Sequence, residues 1–158
     1  MFLRVFTFII VIVFFTSCDK FSFTNNSQTI TLDTIVDLSS VDVSPSFKVC
    51  DSIIDKTKKT DCFRTSIHQK IGGELLKHSF IIKNAISETV YVNMMINSKG
   101  LIILEEVQSS ENIKKELPEL DSLLRACVQK LPIIHPAIKR GIPVTTKYRL
   151  PIKIQLTE

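Results

Sequence analysis

The side chains of this sequence that could act as nucleophiles, bases or metal ligands are a few hydroxyls, imidazoles and thiols. Ser66 and His68 lie close together with acidic residues nearby, as a hydrolytic triad would need. No nucleophile elbow and no helix-mounted metal motif surrounds them. A zinc site would require a recognised ligand spacing, which is lacking among Cys50, Cys62, His68 and His78. The sequence therefore predicts no catalytic residue, no metal site and no cofactor, and we do not expect an enzyme.

A different chemistry is indicated at Cys18. Arg4 precedes a largely apolar run at 5–15, which is the pattern of an export signal. Thr16, Ser17 and Cys18 then resemble the lipobox that lipoprotein signal peptidase cleaves. The alternative is an uncleaved anchor, but the run is well short of the roughly twenty residues that span a bilayer. We expect a signal peptide at 1–17, lipidation of Cys18, and a lipid-anchored protein of the cell envelope on the periplasmic side.

The rest of the chain has the composition of one soluble domain. In the full sequence, twenty Lys and Arg against sixteen Asp and Glu give a net charge of +4, which becomes +3 without Arg4 of the signal peptide. These cations are scattered among acids without aromatic interleaving, so nucleic acid is not an expected partner. Residues 18–46 are rich in Ser, Thr, Asn and Asp and are interpreted as a tether. A weak apolar alternation from Ile30 to Val43 favours, alternatively, a strand that docks on the domain edge.

Two helices are predicted within the domain, which is placed at 47–158. The first lies between Thr60 and Lys77, with a cap at Thr60 or Asp61 and an interruption at Gly72 and Gly73. Its apolar face consists of Phe63, Ile67, Ile71 and Leu75. The second helix has Pro118 in its first turn and ends before Pro132. Its apolar face consists of Leu120, Leu124, Cys127 and Leu131.

Three strands complete the expected fold. Alternating residues predict a hairpin of 89–96 and 101–107 joined by a turn at 97–100. A long strand follows at Val144–Leu156, with Val144, Tyr148 and the other apolar residues on one side. Pro151 within it indicates a sheet edge, because proline cannot donate to a neighbouring strand. The predicted class is α+β, a small antiparallel sheet with two helices on one face.

An ordered set of short motifs resembles the TonB C-terminal domain family. Its closing part is Leu131-Pro132, Pro136-Ala137, Arg140-Gly141, Pro143-Val144, Tyr148 and Leu150-Pro151-Ile152. Earlier parts are Leu120-Asp121, the turn at 97–100, and the segments 45–50 and 61–63, which are similar to a two-cysteine variant of the family. The resemblance covers roughly residues 41–158 and implies a TonB C-terminal-like fold.

The resemblance also implies a function. Domains of this family bind an extended segment of an outer-membrane receptor by adding it to their sheet, and an edge strand fits that role. The predicted partner-strand edge consists of Val144, Thr145, Lys147, Tyr148, Arg149, Pro151 and Lys153. The alternative is that this edge is covered, or is protected from pairing by Lys147, Arg149, Pro151 and Lys153. The expected partner is a TonB-dependent outer-membrane receptor or another envelope protein, besides the membrane that holds the lipid.

The anchor separates this chain from a force-transmitting member of the family. Such proteins join a membrane-spanning helix to the domain through a long proline-rich spacer, and a tether over 18–46 would reach on the order of 90–100 Å at most. We therefore expect a TonB-like binding lipoprotein in outer-membrane transport. The alternative is a structural or adaptor lipoprotein with the same fold.

The cysteines are expected to divide into three roles. If Cys18 carries lipid and Cys127 lies on the apolar face of the second helix, Cys50 and Cys62 remain as a disulfide pair in an oxidising compartment. The alternative is that these two are unlinked small core residues, since spacing alone does not bring their Cα atoms within reach of a bridge.

Overall fold

The computed structural model describes residues 35–157. In this range the chain forms eight regular elements, in the order β1 (Ile35–Asp37), α1 (Lys56–Leu75), β2 (Ile86–Ile96), β3 (Ile102–Gln108), α2 (Glu111–Glu116), α3 (Leu120–Gln129), β4 (Ala137–Lys139) and β5 (Ile142–Leu156). Short 3-10 turns lie at Leu38–Ser40 and Lys48–Cys50. The predicted α+β class is confirmed. The predicted signal peptide at 1–17 and Cys18 lie outside the described residues.

Helix α1 begins earlier than its apolar pattern predicts. Asp55 is the N-cap, and its carboxylate accepts the backbone N–H of Lys58 at 2.8 Å. A carboxylate at this position satisfies one of the N–H groups that the first turn leaves without a helical partner. The predicted cap at Thr60 or Asp61 is therefore wrong, and the polar stretch before it is the first turn of the helix.

The two glycines do not interrupt α1. Gly72 and Gly73 lie inside the helix, which continues to Leu75. Each glycine costs roughly 1 kcal/mol relative to alanine in a helix. Burial of one aliphatic side chain contributes a comparable or larger amount, about 1.5–3 kcal/mol, and both Ile71 and Leu75 are buried. Packing against the sheet thus holds the last turn together.

The second predicted helix is observed as α3. Leu120, Leu124, Cys127 and Val128 form its buried face. A separate helix that was not predicted, α2, precedes it, and the hydroxyl of its N-cap Ser110 accepts the N–H of Ile113 at 3.1 Å. Within residues 35–157, no helix is both long and apolar enough to cross a membrane.

The sheet is mixed rather than purely antiparallel, which corrects the prediction. Its strand order is β1-β5-β2-β3, with β4 paired to the start of β5. The predicted β2–β3 hairpin is present, and β5 runs antiparallel to β2 from Thr146 to Leu156. β1 instead runs parallel to β5. The additional strands come from short segments whose apolar patterns are too brief to predict strands alone.

The alternative interpretation of the segment before the domain, as a strand that docks on the domain edge, agrees with the structure at residues 35–37. There Ile35–Asp37 pair with Thr145–Lys147. Val43 and Ser46 also make bridges, to Ile138 and His135 respectively. Residues 35–46 therefore contact the domain along much of their length, whereas the extent of a tether before them stays a prediction.

A close backbone contact joins the β2–β3 turn to the segment after α3. Gly100 has a φ of 80°, and its carbonyl oxygen accepts the N–H of Ile134 at 3.0 Å. A Cβ atom on Gly100 would lie 1.8 Å from the carbonyl oxygen of Ile134. Both the positive φ and the missing side chain are therefore required here.

The core lies between the helices and the buried face of the sheet. At its centre, the ring of Phe63 stacks on Phe47, with centroids 5.8 Å apart, and meets Tyr148 of β5 edge-on at 5.2 Å. Phe63 is completely buried. These contacts fix α1 over β5, and so determine which side chains of the helix come near that strand.

Candidate functional site

The candidate site lies along the side of β5 that faces away from β2. Pro151 is opposite Tyr91 of β2, and proline has no N–H to donate to that neighbour. Its carbonyl oxygen meets His68 instead. Because backbone groups alternate in direction along an antiparallel strand, Arg149 and Lys153 also direct their N–H and C=O groups away from β2. We define the outer edge as Arg149, Pro151, Lys153 and Gln155.

The predicted edge is longer than the edge that is unpaired in the structure. Val144 pairs with Ala137 of β4, and Thr145–Lys147 pair with β1. Within residues 35–157, no further strand pairs with β5 beyond Lys147 on the outer side. Over 144–147 β5 therefore already has neighbours within the chain, while the outer edge from Arg149 onward has none among the described strands. Partner binding along the predicted edge stays a prediction.

Two of the predicted edge residues have side chains that point into the protein. The ring of Tyr148 lies in the core, and this burial raises the pKa of its hydroxyl. Thr145 is fully buried, and its hydroxyl accepts the backbone N–H of Ser98 at 3.2 Å. Neither side chain is accessible to a partner, since both are held by contacts within the domain.

Helix α1 reaches the outer edge through His68. Its Nε2 lies 2.9 Å from the carbonyl oxygen of Pro151, and its Nδ1 lies 2.9 Å from the carbonyl oxygen of Arg64. Each ring nitrogen of the imidazole thus faces a backbone carbonyl oxygen, one in its own helix and one in β5. The imidazole covers the middle of the outer edge from the helix side.

Cations border the outer edge on the uncovered face of the sheet. The ammonium group of Lys147 lies 3.4 Å from the carboxylate of Glu105. The guanidinium of Arg149 stacks 3.9 Å above the ring of Tyr91, an arrangement worth about 0.5–1 kcal/mol at an exposed site. Lys153 is exposed on the same face. An approaching strand therefore meets positive charge along β5.

A cleft of about 560 Å³ lies on this face, between β1 and the acids of β3. Its lining includes Asp37 and Lys147 at one side and Glu105 and Glu106 at the other. The charges are of both signs and largely paired, so the cleft does not resemble a pocket for one highly charged small molecule. It is better suited to polar side chains of a bound segment.

The opposite edge of the sheet, along β3, is the competing site. A groove of about 280 Å³ separates it from α3, and Leu101 and Ile103 are exposed beside it. However, the pairing of β2 with β3 shifts between Asn93 and Met94, which leaves Glu105 as an extra residue in β3. Bulges and charged side chains are the features that protect an edge from strand addition. The outer edge of β5 also carries charged side chains and Pro151, but its pairing with β2 has no such shift.

Cys50, Cys62 and Cys127 occupy the places predicted for them. Cys50 and Cys62 form a disulfide, with an S–S distance of 2.02 Å and a Cα–Cα distance of 5.9 Å. Cys127 is a buried, unlinked cysteine, and burial raises the pKa of its thiol. The bridge ties the segment before α1 to the second turn of the helix.

The residues considered for hydrolysis or for metal binding do not converge. The hydroxyl of Ser66 lies 3.8 Å from the sulfur of Cys50, whereas His68 faces backbone carbonyl groups. Within residues 35–157, no three His, Cys, Asp or Glu side chains are arranged as metal ligands.

Sequence reasoning missed two contributors to the site. His68 contacts Pro151 across a separation of 83 residues, and no local pattern predicts such a contact. β1 is only three residues long. The apolar alternation around it indicates a strand, but it does not indicate the strand with which β1 pairs or the direction of that pairing. Knowing the partner required the whole fold.

Comparison with known proteins gave no match: no family model, no curated protein and no solved structure was found to be similar to this chain.

Proposed function

We propose that this protein is a TonB-like lipoprotein of the bacterial cell envelope that binds an extended segment of an outer-membrane transport protein by strand addition. The observation that carries the proposal is the outer edge of β5, where Arg149, Lys153 and Gln155 direct backbone groups away from the sheet and no described strand pairs with them. These donors and acceptors lie on either side of Pro151, whose carbonyl oxygen contacts His68, and they are the groups to which a partner strand would bond.

The charged side chains beside the outer edge indicate what charge the partner segment carries. Lys147, Arg149 and Lys153 alternate along β5 and all lie on the uncovered face of the sheet. Complementary charge increases association rates and selects among partners more than it adds affinity. Because Lys147 is paired with Glu105, the proposed segment carries acidic side chains that face Arg149 and Lys153.

The anchor limits where binding takes place. If lipid is attached to Cys18, the residues between it and β1 can span at most about 55–60 Å when fully extended. The domain then works close to the membrane that holds it. This is consistent with a binding role in transport and does not require the protein itself to transmit force.

Retrieval from envelope extracts tests the proposal. The protein is expected to retrieve TonB-dependent receptors, and to lose them when the N-terminal periplasmic segment of the receptor is deleted. A Lys153→Pro variant, which removes one outward N–H, serves as the matched protein control.

The outcomes separate the two function classes. Retrieval of receptors that still occurs after their segment is deleted, or equally with Lys153→Pro, would contradict strand addition at this edge. Retrieval of other envelope proteins in place of receptors would favour the adaptor lipoprotein, which uses the same fold without a role in transport.

A further inference from the structure

The start of the candidate edge already has an occupant, which is a strand of the chain itself. β1 runs parallel to β5 beside Thr145–Lys147, immediately before the outer edge begins. Since the even-numbered residues of β5 bond to β2, Thr145 and Lys147 direct their backbone groups toward β1, and Val36 is the residue that meets both of them. β1 therefore makes the kind of contact that strand addition would make.

The pairing of β1 leaves a polar group unsatisfied. Val36 is the register partner of Thr146, so their side chains lie next to each other on the helix side of the sheet. Thr146 is fully buried. Its hydroxyl oxygen is, within residues 35–157, the buried side-chain oxygen that has no hydrogen-bond partner. Burying a hydroxyl without a partner reduces the stability of the pairing, and a valine beside it supplies neither a donor nor an acceptor.

The rest of β1 is also weakly held. The strand has three residues, and only Val36 among them is buried. Ile35 is 53% exposed. The carboxylate of Asp37 accepts the N–H of Ser39, so this side chain caps the following turn and does not bind β5. Short pairing, little burial and one unsatisfied hydroxyl together describe a contact that a better-matched strand would replace.

We propose that β1 is a built-in competitor for the partner strand, and that the partner displaces it by presenting a hydrogen-bonding side chain, such as that of Thr or Ser, where β1 has Val36. This inference rests on the proposed function. It extends the acceptor site from the outer edge back to Thr145, and it assigns Thr146 as a residue that determines specificity through its hydroxyl group.

The test uses full-length protein in detergent and two labelled peptides. One peptide has the sequence of residues 33–39, and the other has threonine at the position of Val36. In the protein, Val36→Pro removes the N–H that β1 directs toward β5, and Ile35→Pro is the matched control because its N–H points away from β5. Thr146→Val removes the hydroxyl at nearly constant volume.

Two results are expected. In Val36→Pro, but not in Ile35→Pro, the amide of Lys147 should exchange at least tenfold faster, and the peptides should bind at least tenfold more tightly than to the wild type. The threonine peptide should bind Val36→Pro roughly tenfold more tightly than the valine peptide, as one additional hydrogen bond provides. This preference should vanish when Thr146→Val is combined with Val36→Pro.

Each failure has its own meaning. If the Lys147 amide exchanges at the same rate in Val36→Pro and in the wild type, β1 is not a competitor, and the proposed function is unaffected. If the amide becomes exposed but neither peptide binds, strand acceptance beside Thr145–Lys147 is overturned, whereas the proposed function, which rests on the outer edge, is decided by the retrieval experiment. If the two peptides bind Val36→Pro equally, the role of Thr146 in specificity is overturned.

Discussion

His68 on α1 and Pro151 on β5 are joined by a contact of 2.9 Å between the imidazole Nε2 and the proline carbonyl oxygen. The contact shows which way Pro151 directs its backbone, and hence why a proline is accepted within a strand that pairs with β2 along its length. A second proline at another outward position should be accepted for the same reason.

Lys153→Pro is therefore expected to preserve the fold and weaken partner binding. The N–H of Lys153 points outward, so removing it breaks no bond to β2. An incoming strand would lose one hydrogen bond, and we expect a loss in affinity of roughly tenfold. Isothermal titration with the receptor segment measures this loss, and thermal unfolding checks the fold.

Two further variants separate backbone from charge. Lys153→Ala removes the cation and keeps the N–H, so it should slow association and leave most of the affinity. Ile154→Pro removes an N–H that bonds to β2 opposite Glu88, and should destabilise the domain. Equal binding by wild type and a folded Lys153→Pro would exclude this edge as the site.

Removal of the disulfide should lower the free energy of unfolding. In the chain-entropy account, a bridge between residues twelve positions apart contributes about 3 kcal/mol. Urea unfolding of a Cys50→Ala, Cys62→Ala double variant is expected to show this loss, and reductant should then have little further effect. If peptide mapping of protein from the envelope finds both thiols alkylated, the bridge does not form in the cell.

Changing Cys18 to Ala is expected to prevent lipidation. The precursor should then accumulate uncleaved or be released from its normal location, because stable attachment requires the acyl chains on this residue. Membrane fractionation and metabolic labelling with a fatty acid provide the measurement. A Cys18→Ala protein that is still processed and still fractionates with the membrane would contradict the lipoprotein assignment.

The contribution of Glu116 to stability should depend on pH. Its carboxylate accepts the backbone N–H of Lys83 at 2.8 Å and the side-chain amide of Asn84 at 2.7 Å. These bonds hold the pKa of Glu116 below the ordinary value of 4.5, and the bond from Lys83 has the largest effect. A lowered pKa in the folded state stabilises the protein above the unfolded value, and the stabilisation is lost as the pH falls through the folded value.

Glu116→Gln should therefore have a lower melting temperature than the wild type at pH 7. The difference in melting temperature should shrink as the pH falls below 4.5. Glu111→Gln is the control on the same helix, since Glu111 is exposed and its carboxylate pairs with Lys114. If the difference in melting temperature between Glu116→Gln and the wild type stays constant from pH 7 to pH 3, then these donors do not stabilise the charge of the carboxylate.

The parts of the fold that depend on local pattern were predictable from sequence. Leu120, Leu124 and Cys127 repeat at helical spacing and form the buried face of α3. The alternation around Tyr148 and Leu150 gave the correct buried face of β5. The capping residue of α1 was misplaced because Asp55 lies before the apolar repeat begins, where periodicity carries no information.

The site was predictable only in part, since pairing is a property of the sheet and not of one strand. Pro151 correctly indicated an unpaired side, but nothing near Thr145 or Lys147 signals that a strand from the beginning of the domain lies there. Likewise, the hydroxyl of Thr146 has no hydrogen-bond partner in a register that places Val36 beside it. Such long-range relationships require the folded structure.

The contact between Gly100 and Ile134 has a consequence for tracing the ancestry of this domain. Because any Cβ at position 100 would collide with a main-chain oxygen, mutations there should be eliminated by selection in every descendant that keeps this turn docked. The side chain at position 134 is not constrained by the same contact. Because Ile134 is itself buried in the core, the expected pattern is an invariant glycine opposite a position that varies only among apolar residues, and diverged sequences could be aligned on it.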